Sequence, residues 1–157
     1  MSASTPVEAI RIRPATADDV SLMARWAEAM ALETEHKVLE TEVVTRGIAI
    51  GVADPSRSRY YIADIDGIPV GTMMTTFEWS DWRCGWWWWI QSVYVVPEMR
   101  RRGVYRAMYD HVLSLARAEP DVYGLRLYVE RDNVRAMRTY EFLGMHEASY
   151  RIFEVAL

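Results

Sequence analysis

A single cysteine, Cys84, rules out an internal disulfide and a cysteine-held metal cluster. The three histidines, His36, His111 and His146, are scattered without ligand spacing, so no metal site is expected. No apolar run approaches the ~20 residues that a membrane-spanning helix needs. No signal-peptide pattern opens the chain, so the cytoplasm is the expected location and no membrane partner is expected. The net charge of −4 leaves no broad basic face of the kind a polyanion requires, which excludes a general nucleic-acid binder. Repeats and linkers are missing too. A chain of 157 residues then reads as one domain over 1–157, with 1–7 as a disordered lead.

What is abundant is aromatic and apolar. Hydrophobic residues make up 51% of the chain, and seven Trp and nine Tyr stand against only three Phe. Rings of this kind fill a core and also line pockets.

Alternation and turn residues divide the chain. Ile10-Arg-Ile-Arg13 alternates as a strand closed by Pro14. Thr16-Ala-Asp-Asp19 caps a helix whose buried face carries Val20, Met23, Ala24, Ala27, Met30 and Ala31. A second helix is expected over 40–52, ended by Asp54-Pro55. Residues 60–64 and 68–79 read as two strands joined by Asp66-Gly67, a two-residue hairpin turn. Residues 86–96, apolar on both faces, read as a central third strand. Helix over 105–118, strand over 124–130, helix over 133–143 and a last strand over 146–155 complete the order.

The stretch from Val93 to Tyr109, VYVVPEMRRRGVYRAMY, is the most informative. A strand runs into a turn at Pro97, and Arg100-Arg101-Arg102-Gly103 then opens an amphipathic helix. Free N–H groups in a first helical turn point at an anion, and the helix dipole adds about half a positive charge there. Gly103 removes a Cβ from the approach, and the arginines supply countercharge. Phosphate is the expected occupant.

Arg100-Arg-Arg-Gly-Val-Tyr105 resembles the Arg/Gln-x-x-Gly-x-Gly/Ala acetyl-CoA motif of the GNAT N-acetyltransferases, with Tyr105 where that family carries Gly or Ala. Asn133-Val-Arg-Ala136-Met-Arg-Thr-Tyr140-Glu-Phe-Leu-Gly144-Met145 resembles the family's second signature. Order and spacing agree across about residues 9–155. The resemblance implies an α/β (α+β) fold, a mixed, mostly antiparallel sheet flanked by helices and split at a cofactor cleft. It implies transfer of an acetyl group from acetyl-CoA, as co-substrate, to a primary amine by direct attack. The aromatic and acidic residues around Trp79–Trp89 favour a small molecule over a peptide, with polyamine, amino acid, antibiotic and protein N-terminus all open.

The family pattern also implies roles. A β-bulge would splay the central strand, so that backbone groups of Val93, Tyr94 and Val95 meet the pantetheine arm. Amides over Arg101, Arg102, Gly103, Val104 and Tyr105 would cradle the pyrophosphate, with Arg100 at the flank. Tyr140 would protonate the leaving thiolate, a task that suits a phenol of pKa ~10. Asn133 and Ala136 share its helix face, Asn133 either touching cofactor or capping its helix.

An attacking amine of pKa ~10.4 must lose a proton first. The strand position where the family often carries that base falls near Trp89, which cannot act. Glu78 is the first substitute, with Glu33 and Glu130 behind it and Asp81 nearby to attract a cation. Among Trp79, Trp82 and Trp86–Trp89 most rings are expected in the core, with one or two gripping a cationic amine. The rivals are an acyl-CoA-binding module without catalysis and an enzyme for a longer acyl group. The Tyr150–Val155 segment is placed to pair strands across a homodimer.

Overall fold

The computed structural model describes residues 9–157. The lead expected over 1–7 lies outside them. The chain divides into two compact units, the first ending at Leu127 and the second spanning Tyr128–Leu157.

The first unit holds one five-stranded sheet in the order β1-β2-β3-β4-β5. β1 is Ile10–Pro14, β2 Arg59–Ile65, β3 Ile68–Ser80, β4 Gly85–Val95 and β5 Val122–Leu127. The first four run antiparallel, and β5 joins β4 in parallel. Asp66 (φ 52°) and Gly67 (φ 78°) both take left-handed backbone, the two-residue hairpin turn whose twist matches the strands it joins.

Two helices, α1 (Val20–Glu35) and α2 (Thr41–Ala53), cover one face; Met23, Ala24 and Trp26 of α1 pack with Ile48 of α2 and Ile62 of β2. The other face takes α3 (Val104–Ala118), whose Val104, Met108, Tyr109, Val112 and Ala116 are buried at helical spacing. Arg13 of β1 clamps the start of α1 to β2. It donates to Asp19 at 2.8 and 2.9 Å and to Asp64 at 2.7 Å.

Two expectations need correcting. Of the six tryptophans between 79 and 89, only Trp88 is buried, while Trp79, Trp82 and Trp86 are exposed. The β2–β3 ladder stops at Arg59–Thr75, so residues 76–80 of β3 and their β4 partners overhang β2 as a hairpin arm. An overhanging arm has less to cover its rings.

The second unit holds α4 (Val134–Phe142). The strand expected over 146–155 does not form, and Tyr150, Ile152, Phe153 and Val155 are exposed. Alternating side chains alone make no strand; a strand needs a backbone ladder, and no ladder forms over residues 146–155 among the described residues.

Candidate active site

The site is built where β4 changes partners. Between β3 and β4, Thr72 pairs with Tyr94 but Met74 pairs with Gln91. Two steps on β3 thus match three on β4, which is a β-bulge. Ser92 sits in it with left-handed backbone, φ 49°. On the other side of β4, the ladder with β5 ends at Ile90–Leu127, just before the bulge. Val96 N–H donates to Val70 O of β3 at 2.9 Å. Successive N–H groups of a strand point to opposite sides. The N–H groups of Val95 and Val93 therefore face away from β3, along the stretch where the β5 ladder has ended.

Beyond Val95 the chain makes one turn over Pro97–Met99 and reaches α3 through two left-handed residues, Arg101 (φ 65°) and Gly103 (φ 84°). Gly103 is the N-cap of α3 and supplies no side-chain cap, so the amides of the first turn lack an internal acceptor. A Cβ on Gly103 would meet nothing; its glycine answers the backbone angle. Gly71 of β3 does answer space. A Cβ there would come within 3.0 Å of Tyr94 O and 3.2 Å of Val104 Cγ1. Its absence lets the first turn of α3 settle on the end of β4.

The three arginines differ. Arg100 Nε donates to Val95 O at 2.9 Å, its guanidinium bonds the Glu33 carboxylate at 2.5 and 2.9 Å, and it lies over the Tyr94 ring. That contact holds the Glu33 carboxyl below its ordinary range. Arg101 and Arg102 are exposed and form no ion pair among the described residues. Tyr105 points along its helix, its ring stacked on Tyr109 one turn later at 6.4 Å.

A cavity of about 230 Å³ opens on the helix-α1 face of the bulge. Met23, Ala27 and Met30 of α1, Val44, Gly47 and Ile48 of α2, and Tyr60, Thr72, Ser92 and Tyr94 of the sheet line it. The Thr72 hydroxyl donates to Tyr61 O at 3.1 Å, and burial raises the Tyr60 phenol. Among the described residues no carboxylate lines this space.

Glu78 lies on β3 opposite Trp87, four residues from Met74 and thus about 13 Å along the strand from the bulge. Arg126 of β5 donates to it at 2.8 Å and lies 3.9 Å from the centre of the Trp87 ring. Arg83 stands 5.3 Å from Trp87, and Arg59 5.2 Å from Trp88. The aromatic faces of the arm thus meet the chain's own guanidinium groups.

In the second unit, Asn133 caps α4, its side-chain oxygen accepting from Ala136 N–H at 3.0 Å. Tyr140 lies on the last turn. Gly144 (φ 87°) closes the helix, with Met145 N–H bonded to Tyr140 O and Gly144 N–H to Glu141 O, both at 3.0 Å. Among the described residues no group of three His, Cys, Asp or Glu side chains is arranged to hold a metal ion, and no helix is long and apolar enough to cross a membrane.

The turn is legible in the sequence; the cavity is not. Its α1 residues were visible as an apolar stripe, without a sign that some face a void. Ser92 carried no signal, because a serine does not announce positive φ. The Glu33–Arg100 contact joins residues 67 apart, with no local pattern to mark it.

No curated protein matches the chain. Among solved structures it is similar to a possible acetyltransferase from Clostridium difficile 630, at 37% identity and TM-score 0.89, covering 96% of this chain and 99% of that one. A predicted acetyltransferase with acetyl-CoA from Clostridium acetobutylicum shares the fold at 16% identity and TM-score 0.77, covering 94% and 96%. The ribosomal-protein-alanine N-acetyltransferase from Brucella melitensis biovar Abortus 2308 shares it at 17% identity and TM-score 0.74, covering 95% and 99%. The acetyltransferase (GNAT) family matches residues 22–145. The chain belongs to the GNAT acetyltransferase family and is an acyltransferase.

Proposed function

We propose that this acetyltransferase moves the acetyl group of acetyl-CoA to the amine of a small molecule. The observation that carries the reading is the end of the β4–β5 ladder at Ile90–Leu127, two residues before Ser92 in the bulge. A pantetheine arm is an extended chain of amides. It satisfies a strand's free N–H and C=O groups as a neighbouring strand would, and Val93 and Val95 offer such N–H groups. Diphosphate suits the uncapped amides of Val104 to Arg106, with charge added by Arg101 and Arg102, which form no ion pair among the described residues.

With the thioester held there, its carbonyl carbon sits at the bulge, within reach of a guest in the cavity beside Ser92. The amine nitrogen forms the new C–N bond, the C–S bond breaks, and the proton lost by nitrogen is matched by one gained by sulfur. Backbone N–H near Val95 steadies the oxyanion. Tyr140 gives the thiolate its proton, as the family pattern implies. Holding amine and thioester together supplies much of the rate. A cavity of about 230 Å³ lies below the roughly 300–1,000 Å³ typical of drug-sized sites, which favours a small molecule over a peptide.

The test is thiol release from acetyl-CoA against a panel of amines, with acetylated product identified by mass. Turnover of at least one small amine is expected. Tight acetyl-CoA binding with no product from any amine would contradict the reading.

A further inference from the structure

Among the described residues, no charged side chain lines the cavity beside the bulge. Its walls are Met, Ala, Val, Ile and Gly, with Tyr60, Thr72, Ser92 and Tyr94 as the polar side chains among them. None of the carboxylates on the surrounding elements lines it: Glu33 of α1 is paired with Arg100, Glu78 of β3 with Arg126, and Glu28 of α1 accepts from the Thr41 hydroxyl. Glu42 and Arg46 of α2 are exposed. An alkylammonium group entering this space would lose its water and find no counter-ion. At pH 7 only roughly one molecule in 2,500 of an amine with pKa ~10.4 is neutral.

Gly47 is a second observation. It stands in the middle of α2, at the exposed mouth of the cavity, and a Cβ on it would meet nothing within 4 Å. Glycine inside a helix destabilises it relative to alanine. Neither backbone angle nor crowding explains this one. A side chain longer than methyl would reach across the mouth.

We propose, building on the acetyl-transfer reading above, that this cavity receives the acceptor and that the acceptor is a weakly basic aromatic amine, already neutral at pH 7. The ring lies among Met23, Met30 and Ile48, where thioether–aromatic contacts favour it, and the nitrogen points to Ser92 at the bulge. The lone pair on nitrogen forms the C–N bond and sulfur leaves with the electrons of the C–S bond. The proton shed by the anilinium-like adduct ends on the thiol, so no carboxylate base is needed. The Gly47 gap is the way in.

The experiment compares 4-methylaniline with benzylamine, which has a similar apolar body but a strongly basic nitrogen. With the full chain and saturating acetyl-CoA at pH 7, kcat/KM for 4-methylaniline should exceed that for benzylamine at least 100-fold. Between pH 6 and 8 it should stay flat for 4-methylaniline. Gly47→Leu should raise the KM for 4-methylaniline at least tenfold with the Kd of acetyl-CoA unchanged. Equal or better turnover of benzylamine would overturn the aromatic-amine assignment and leave acetyl transfer standing. Unchanged kinetics in Gly47→Leu would overturn the cavity as acceptor site. Acetyl-CoA binding without turnover of any amine would remove this inference together with the reading beneath it.

Discussion

Glu33 at the end of α1 and Arg100 at the entrance to α3 are bonded through both guanidinium Nη atoms, at 2.5 and 2.9 Å, while Arg100 Nε holds the carbonyl of Val95. The contact fixes the turn after β4 against the first helix. It also ties up one of the three arginines ahead of α3 and holds the Glu33 carboxyl below its usual range. Arg100 is thus better placed to shape the proposed anion site than to neutralise it. Glu33→Gln is expected to cost about 0.5–1 kcal/mol in urea unfolding, since both side chains are substantially exposed. The pH dependence of turnover should not move. A shift in that profile would identify Glu33 as the proton acceptor and contradict this assignment.

Arg101 and Arg102 carry the opposite expectation. Both are exposed and form no ion pair among the described residues. Their replacement by alanine should leave the melting temperature within a degree or two and raise the Kd of acetyl-CoA by about tenfold for the pair. The loss should shrink at 0.5 M salt, where exposed charges are screened. Calorimetric titration at two salt concentrations checks it.

The same change at two glycines should act with opposite sign. A Cβ at Gly124 of β5 would come within 2.7 Å of the Trp87 ring, so Gly124→Ala is expected to destabilise by about 1–3 kcal/mol. At Gly47 of α2 the Cβ meets nothing, and Gly47→Ala should stabilise by about 0.5–1 kcal/mol. Urea midpoints of the two variants measured side by side give the comparison.

Asp19 links acid stability to the fold. The Arg13 hydrogen bond is the largest cause holding its carboxyl below the ordinary value of 3.8, with the Thr16 N–H adding to it. A depressed carboxyl stabilises the fold fully above the unfolded pKa and stops doing so as pH falls through the folded one. The contribution is therefore complete above about pH 4 and fades below it. Asp19→Asn should lower stability by about 1–3 kcal/mol at pH 7 and flatten the dependence on pH below 4. Thermal melts from pH 2 to pH 7 test both parts.

Local chemistry made the fold legible wherever it decided the outcome. Asp66-Gly67 can hardly be anything but a tight hairpin turn, and the apolar run over 86–96 needed cover on both faces and so marked a central strand. Asn133 and Gly144 bracket α4 as cap and terminator, both visible from residue type. Long-range geometry was not legible. The tryptophans looked like core because their burial depends on where β2 ends, at Arg59, which no pattern inside 79–89 encodes. Residues 146–155 alternate as a strand does, yet a strand exists only with a partner. At the candidate site, the turn over Arg100–Gly103 could be read from spacing. The split of its arginines into one bonded to Glu33 and two with no ion pair among the described residues could not, because Glu33 lies 67 residues away.

The most direct test of the account is thiol release from acetyl-CoA, with an accepted amine, by the wild type and by Tyr140→Phe. The account predicts turnover by the wild type and a fall in kcat of about 10²-fold or more in the variant, with the Kd of acetyl-CoA unchanged. Equal kcat in the two proteins would contradict Tyr140 as the proton donor to the leaving thiolate.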